Sequence, residues 1–402
     1  MSGESAETDE LRIGELFAGY GGLGMGVQTI LGGRIAWFSE FDKGPSKVLA
    51  HRFPGIPNHG DITAINWPEV EPVDVLTGGS PCQDLSTAGK RAGMTDGTRS
   101  NLWVAMREAI AQLRPSLVVW ENVRGAYSAA ADSAVEPCPG CVGDGSADVS
   151  LRALGRVLGD LSDLGYDAGW HGLRAADVGA PHGRFRVFVV AADTQRGGWH
   201  GRASDQVRRP FRGAAAAWRG EAARLLPSPR TSDTNGAGVH GDGGLDLRTA
   251  VSLLPTPTTT QRGTDANLDT REGARANLHN EVAKLLPTPM VGSTSPAAHG
   301  QISGQYRAQM DEAFQNWAEY TAAIHRWERL TRPAPPPTEI GPKGGSRLSS
   351  AFSEWMMGLP AGWVTDVPGV TRNEALKLCG NGVVPQQAAA AVQTILARAV
   401  AA

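Results

Sequence analysis

"RIGELFAGYGGLGMGVQTILG", residues 12–32, decides the fold: an apolar run, a cluster of glycines, then apolar residues at helical spacing. That order predicts a strand, a tight turn and a helix, with glycines where backbone must come close to a bound group at a helix N-terminus. The same alternation continues. "GRIAWFSE", "VDVLTGG", "SLVVWENV" and "FRVFVVAA" read as further strands, and "GPSKVLAHRFP", "NLWVAMREAIAQLRP" and "SLRALGRVLGDLSDLGY" as helices. Strands alternating with helices predict an α/β protein with a doubly wound, mostly parallel sheet, whose ligands sit at the carboxyl ends of the strands.

Composition bounds the rest. The chain has 402 residues, 41% of them hydrophobic and 20% charged, an ordinary globular balance with room for a large domain and a smaller one. A formal net charge of −3 gives no global pull toward nucleic acid, so polyanion binding needs a local basic surface. One candidate runs from Arg196 to Arg230, with eight arginines, Arg208 and Arg209 among them, against two acids. Four cysteines are too few for a disulfide scaffold, no apolar stretch is long enough to span a membrane, and the polar, acidic start is unlike a signal peptide. The expectation is a soluble, cytoplasmic protein.

Character changes after Asp193. Residues 194–341 are rich in Gly, Pro, Thr and Arg with little periodicity and predict a smaller, loop-rich unit. "LLPSPRTSD" at 225, "LLPTPTTTQ" at 253 and "LLPTPMVGS" at 285 form an imperfect repeat, readable as proline-capped turns or as part of a DNA-reading surface. "DEAFQNWAEYTAAIHRWERL" predicts one amphipathic helix and "RPAPPPTE" a stiff linker. The chain closes on "LCGNGVVPQQAAAAVQTILARAV", a turn and an alanine-rich helix apolar enough to need the sheet as its packing surface.

Three stretches carry chemistry. In "GGSPCQDLS", residues 78–86, Cys82 follows a strand and two glycines and is expected at the ligand edge of the sheet, where a nucleophile belongs. "WENVRG" ends another strand with Glu121, a carboxyl able to protonate a ring nitrogen. "PHGRFRVFVV" puts Arg184 and Arg186 on one face, suited to a carbonyl oxygen or a phosphate. Glu40, ending the second strand, stands where an acid would hold ribose hydroxyls, and Asp61 in "HGDIT" is placed to accept from an adenine amino group; each reads equally as a solvated turn residue or helix cap. Cys138 and Cys141 have zinc-ligand spacing and could be half of a zinc site completed by His171 or other histidines, but no second pair exists, so an inserted turn is the favoured reading and no metal is expected.

Together these stretches resemble the DNA (cytosine-5)-methyltransferase family. The glycine-rich motif (Phe17 to Gly26), the Pro-Cys motif (Gly78 to Ser86), the Glu-Asn-Val motif (Glu121 to Val123), "TRSNLW", "PHGRFRVF", "RLSSAFSEWMMGLPAGW" and "GNGVVPQ" occur in the family's order. Only residues 194–341 lack a match, where the family keeps its target-recognition domain. One departure is that the Gln-x-Arg-x-Arg motif begins here with His182, with both arginines kept.

The resemblance implies a Rossmann-like methyltransferase domain at 9–193, a target-recognition domain at 194–341, a hinge and support at 342–368 and a returning C-terminal segment at 369–402. It implies S-adenosyl-L-methionine as cofactor, held by Phe17, Gly19, Gly21, Gly22, Glu40, Asp61, Ile62, Pro81, Asn381 and Val383. It implies sequence-specific methylation of C5 of a flipped-out cytosine in double-stranded DNA, with Cys82 adding to C6, Glu121 at N3 and Arg184 and Arg186 at the base. Gln83, Ser86, Lys90, Arg91, Arg99, Arg208 and Arg209 would contact DNA. A monomer is expected, with a companion restriction endonuclease as a compatible partner. An RNA cytosine methyltransferase and a non-catalytic DNA-binding relative are the alternatives.

Overall fold

The computed structural model describes residues 10–80, 102–127, 130–131, 151–200, 225–234, 247–252, 317, 320–342 and 346–401. Its centre is a six-stranded sheet. Strands β1 (Arg12–Leu16), β2 (Arg34–Ser39), β3 (Val75–Gly78), β4 (Leu117–Val123), β5 (Tyr166–Arg174) and β6 (Phe185–Asp193) lie in the order β2-β1-β3-β4-β6-β5. The pairings β1–β2, β1–β3 and β3–β4 are parallel, whereas β6 runs antiparallel to both β4 and β5. The expected doubly wound, mostly parallel α/β sheet is what the chain forms. Because β6 is reversed, its first residues lie beside the last residues of β4, and Val123 pairs with Arg186.

Strand residues alternate between two cores, as a sheet covered on both faces requires. Leu117 and Val119 of β4 join a cluster with Val27 and Ile30 of helix α1 (Gly22–Leu31) and with Ala388, Val392 and Ile395 of helix α9 (Pro385–Ala401). Val118 and Trp120 face the other way, onto Trp103, Met106 and Ile110 of α3 (Leu102–Leu113) and Val157 and Leu161 of α4 (Ala153–Asp163). Helix α2 (Lys43–Arg52) follows β2. The alanine run of α9 is explained by α1: a Cβ on Gly26 would lie 2.6 Å from the Ala388 Cβ, so the two helices meet through small residues.

The closing segment departs from expectation in one respect. "LCGN" is the last turn of helix α8 (Arg372–Asn381), started by a capping box in which Thr371 and Glu374 satisfy each other's backbone N–H. The sheet reading also missed β5, an edge strand with Gly169 and Gly172 in its interior.

A third core lies beyond the sheet. Leu226, Leu247 and Val251 of the loop-rich region, with α5 (Leu247–Ser252), pack with Ile324 and Trp327 of α6 (Thr321–Leu330), Phe352 and Trp355 of α7 (Ser350–Met356) and Tyr20 of the glycine turn. Strands β7 (Thr338–Ile340) and β8 (Ser346–Leu348) pair antiparallel, so the end of "RPAPPPTE" is a strand rather than wholly a linker. The described part of the long amphipathic stretch is helical from Thr321. The first Leu-Leu-Pro repeat docks by its Leu226 N–H, which donates to the Pro181 carbonyl at 2.8 Å. The second and third repeats, and the Cys138–Cys141 pair, lie outside the described residues.

Candidate active site

The carboxyl ends of β1 to β4 and the start of β6 converge on one edge. After β1, Phe17, Gly19 and Gly21 all adopt positive φ (54°, 58° and 84°) and turn the chain sharply into α1. Ser39 at the end of β2 ties neighbouring turns together: its carbonyl accepts from Phe17 N–H at 2.8 Å, and its hydroxyl donates to the Gly60 carbonyl at 2.8 Å. Glu40 accepts from the Gly19 N–H (2.8 Å) and the Asp42 N–H (2.8 Å), and burial pushes its pKa up. Asp61 caps a short 3₁₀ turn, its Oδ1 accepting from Thr63 N–H at 2.9 Å and Oγ1 at 2.8 Å. Ile62 is buried in the core against which Phe17 packs.

Whether a nucleoside fits here is tested by the space above the turn. Among the described residues, no heavy atom beyond its two chain neighbours lies within 4 Å of where a Gly19 Cβ would stand, and Phe41, directly after Glu40, is 74% exposed. Open space beside a half-buried carboxylate and an exposed aromatic ring suits an adenosine-type group, so the residues present fit the cofactor. Phe41 was not singled out in the sequence; its signal there, an aromatic following the acid of β2, does not separate an exposed ring from a core one.

The other half of the edge is more buried. Glu121 and Arg186 form an ion pair, Nε to Oε1 at 2.6 Å, across the β4–β6 pairing, and Glu121 is 8% exposed. Burial pushes the Glu121 pKa up while Arg186 and Arg184 hold it back. A Cβ on Gly79 would stand 3.0 Å from Glu121 Oε2, so a glycine is what lets the carboxylate lie over the end of β3.

Asn122 and Trp120 point to the opposite face and anchor Ser80, the last described residue before the Pro-Cys motif. Trp120 Nε1 donates to Ser80 Oγ at 3.1 Å, and Asn122 Nδ2 to the Ser80 carbonyl at 3.4 Å. Arg124, exposed and stacked 5.8 Å over the Phe185 ring, is a further cation at this edge that sequence reasoning did not single out.

Arg184, expected beside Arg186 at the reacting base, is placed differently. It is 7% exposed, and its guanidinium donates to backbone carbonyls, Nη1 to Gly380 at 2.9 Å and Nη2 to Gly382 at 2.8 Å. Burial among apolar groups and the neighbouring Arg186 bring its pKa down to about 9. His182, at the departure from the family motif, is fully buried with Nε2 3.1 Å from the Met356 carbonyl, and its pKa falls to about 3, so the ring is neutral and donates through Nε2.

Asn381 ends α8 exposed, and the carbonyl of Val383 accepts from the Tyr20 hydroxyl at 2.7 Å beside the glycine turn. Cys82, Pro81, Gln83, Ser86, Lys90, Arg91, Arg99, Arg208 and Arg209 lie outside the described residues. Among the described residues no group of acids, histidines and cysteines could hold a metal ion, and no helix is long and apolar enough to cross a membrane.

Fold and site define a Rossmann-like α/β domain of the methyltransferase type, with a glycine turn at one end of the edge and a buried acid–arginine pair at the other. Residues 11–210 match the family described as C-5 cytosine-specific DNA methylase, and this stretch of the chain belongs to that family. It is 34% identical over 212 residues to the DNA N-6-adenine-methyltransferase of Escherichia phage P1, a match covering 43% of this chain and 28% of that one. It is 30% identical over 190 residues to the Type II methyltransferase M1.ScrFI of Lactococcus lactis subsp. cremoris, covering 47% and 43%. The matched part thus spans less than half the length of either relative. The crystal structure of S. pombe Dnmt2 methyltransferase aligns over 97% of this chain and 99% of that one, with a TM-score of 0.49 and 14% identity.

Proposed function

We propose that the chain is a DNA cytosine-5 methyltransferase using S-adenosyl-L-methionine, with residues 9–193 as catalytic domain, 194–341 as recognition domain, 342–368 as its support and 369–402 completing the cofactor site. The observation that carries this reading is the Glu121–Arg186 pair at the edge where β3 leads into the Pro-Cys motif. Burial makes the Glu121 carboxyl easier to protonate than a free one, and the adjacent guanidinium presents donors to a carbonyl oxygen.

Phe17 and Phe41 would flank the adenine, Glu40 hold the ribose, Asp61 accept from the adenine amine and Asn381 and Val383 line the methionine end, with Gly19, Gly21, Gly22, Ile62 and Pro81 shaping the cavity. The cofactor, when bound, supplies an electrophilic methyl group. The target cytosine must leave the duplex because C6 is unreachable in the stack. Cys82 thiolate then adds to C6, Glu121 gives a proton to N3 and Arg186 holds O2, which makes C5 the nucleophile. C5 would take the methyl group, with S-adenosylhomocysteine as the leaving product; loss of the C5 proton to water, return of the N3 proton to Glu121 and expulsion of the Cys82 thiolate would then restore the aromatic ring and the enzyme.

Arg124 and the arginines at 208 and 209 would meet phosphates, with Gln83, Ser86, Lys90, Arg91 and Arg99 closer to the base. Double-stranded DNA is the partner of this reading, the cytoplasm its compartment, a monomer its working form and a restriction endonuclease a compatible companion.

The test is to incubate the purified chain with methyl-labelled S-adenosylmethionine and either unmodified genomic DNA or total RNA, and to identify the labelled nucleoside by mass spectrometry. Label in 5-methyldeoxycytidine is expected. Label in N6-methyldeoxyadenosine, the modification in the phage relative's name, or in RNA alone would overturn the reading.

A further inference from the structure

The carbonyls that Arg184 holds belong to a turn pressed from two sides. On one side stands Tyr20. Its hydroxyl donates to the Val383 carbonyl at 2.7 Å, and its ring lies so close to Gly382 that no Cβ fits there. A Cβ on Gly22, the first residue of α1, would come 2.5 Å from the same Val383 carbonyl, so the turn at 380–383 sits directly on the glycine turn. On the other side, a Cβ on Gly380 would run into the backbone of Arg230 and Thr231, in the tail of the first Leu-Leu-Pro repeat. Arg184 reaches that segment too, its Nη1 lying 3.5 Å from the Pro229 carbonyl. The segment is itself braced, Asp233 accepting from Arg230 N–H at 2.7 Å and pairing with buried Arg248 at 3.7 Å.

We propose that Arg184 and Tyr20 are positioning residues that clamp the 380–383 turn onto the glycine turn at 19–22, and that the Arg184 guanidinium carries the seating of residues 225–234 into the same clamp. This rests on the reading of that edge as a cofactor site. One planar cation satisfies carbonyls of two segments, which a flexible ammonium with a single point of charge does not reproduce. Buried backbone carbonyls need such a partner, since α8 ends there and its last carbonyls have none within the helix. The expected consequence is that cofactor affinity depends on a residue that does not touch the cofactor, and that the loop-rich region is mechanically continuous with the cofactor turn.

The test uses the full chain, with S-adenosylhomocysteine as calorimetric probe. Arg184→Lys should weaken its binding by about tenfold or more, the loss of two charge-assisted bonds, and Tyr20→Phe by roughly fivefold. Because both act through one turn, the double variant should lose less than the product of the two factors.

Hydrogen exchange supplies a readout free of ligand. In Arg184→Lys, the amides of Gly382, Met25 and Asp233 should exchange faster together, while those within β3 and β4 stay protected. Product-like losses, an unchanged affinity in both single variants, or faster exchange at Gly382 alone would overturn the clamp. A wild-type chain that takes up no S-adenosylhomocysteine would sink the cofactor reading instead, and the exchange comparison would then decide the clamp.

Discussion

The Arg186 guanidinium lies 2.6 Å from the Glu121 carboxylate, Nε to Oε1, and both side chains are nearly withdrawn from water. A strand register puts them there. Glu121 pairs with Phe188 and Val123 with Arg186, so the two charges are diagonal neighbours on one face of the sheet. In that setting the partners do not tolerate separate removal. Arg186→Gln should destabilise the chain by about 3 kcal/mol, because it strands a buried carboxylate, and adding Glu121→Gln should recover part of the loss. Denaturant unfolding of the two single variants and the double checks this; additive losses would mean that the pair is not coupled. Methyl transfer should fall about a hundredfold or more in each single variant.

Glu15 gives the stability curve its alkaline side. Fully buried in β1, it accepts from Gly24 N–H at 3.0 Å, and burial raises its pKa to about 8. The folded chain therefore binds a proton that the unfolded chain has released, and stability should fall as pH rises from about 4.5 to 8. Glu15→Gln should flatten that fall, leaving the variant more stable than wild type at pH 8 by on the order of 2 kcal/mol. Thermal melts from pH 5 to 8 measure it, and parallel curves for the two proteins would refute it.

His182 does the reverse on the acid side. With its pKa lowered to about 3, the folded chain excludes a proton that the unfolded chain accepts near pH 6.5, so stability should be lost as pH drops from 6.5 toward 3. His182→Gln keeps a donor for the Met356 carbonyl and removes the titration. Its melting temperature should match wild type at pH 7 and exceed it at pH 4.5; a variant that melts well below wild type at pH 7 would show that the ring does more than donate one bond.

Phe41 is exposed enough that its loss should leave folding alone. Phe41→Ala is expected to weaken S-adenosylhomocysteine binding about fivefold, the worth of one aromatic stacking partner, at an unchanged melting temperature. An unchanged affinity would remove Phe41 from the cofactor site.

Much of this architecture was legible in the chain. Apolar runs ending in glycine or polar turns located five strands, and their alternation with helical spacing was enough for the sheet class. Tyr166–Arg174 escaped because an edge strand half exposed to water needs no apolar periodicity, and the glycines in its interior weaken a strand's signal. Arg372–Asn381 escaped although Thr371 and Glu374 have the spacing of a capping box, because its end is a Gly-Asn pair that mimics a loop. At the site, strand period predicted that Arg184 and Arg186 share a face, yet it does not say which polar groups lie within reach. Arg184 went to the carbonyls of a turn nearly two hundred residues away, a partner that only the folded chain brings near.

The most direct measurement is bisulfite sequencing of DNA from cells expressing the wild-type chain, the Cys82→Ala variant or the Glu121→Gln variant. Protected cytosines within one short motif are expected in the wild type, none with Cys82→Ala and strongly reduced protection with Glu121→Gln. Protection that persists in Cys82→Ala, or no protected cytosine in any sample, would contradict that expectation.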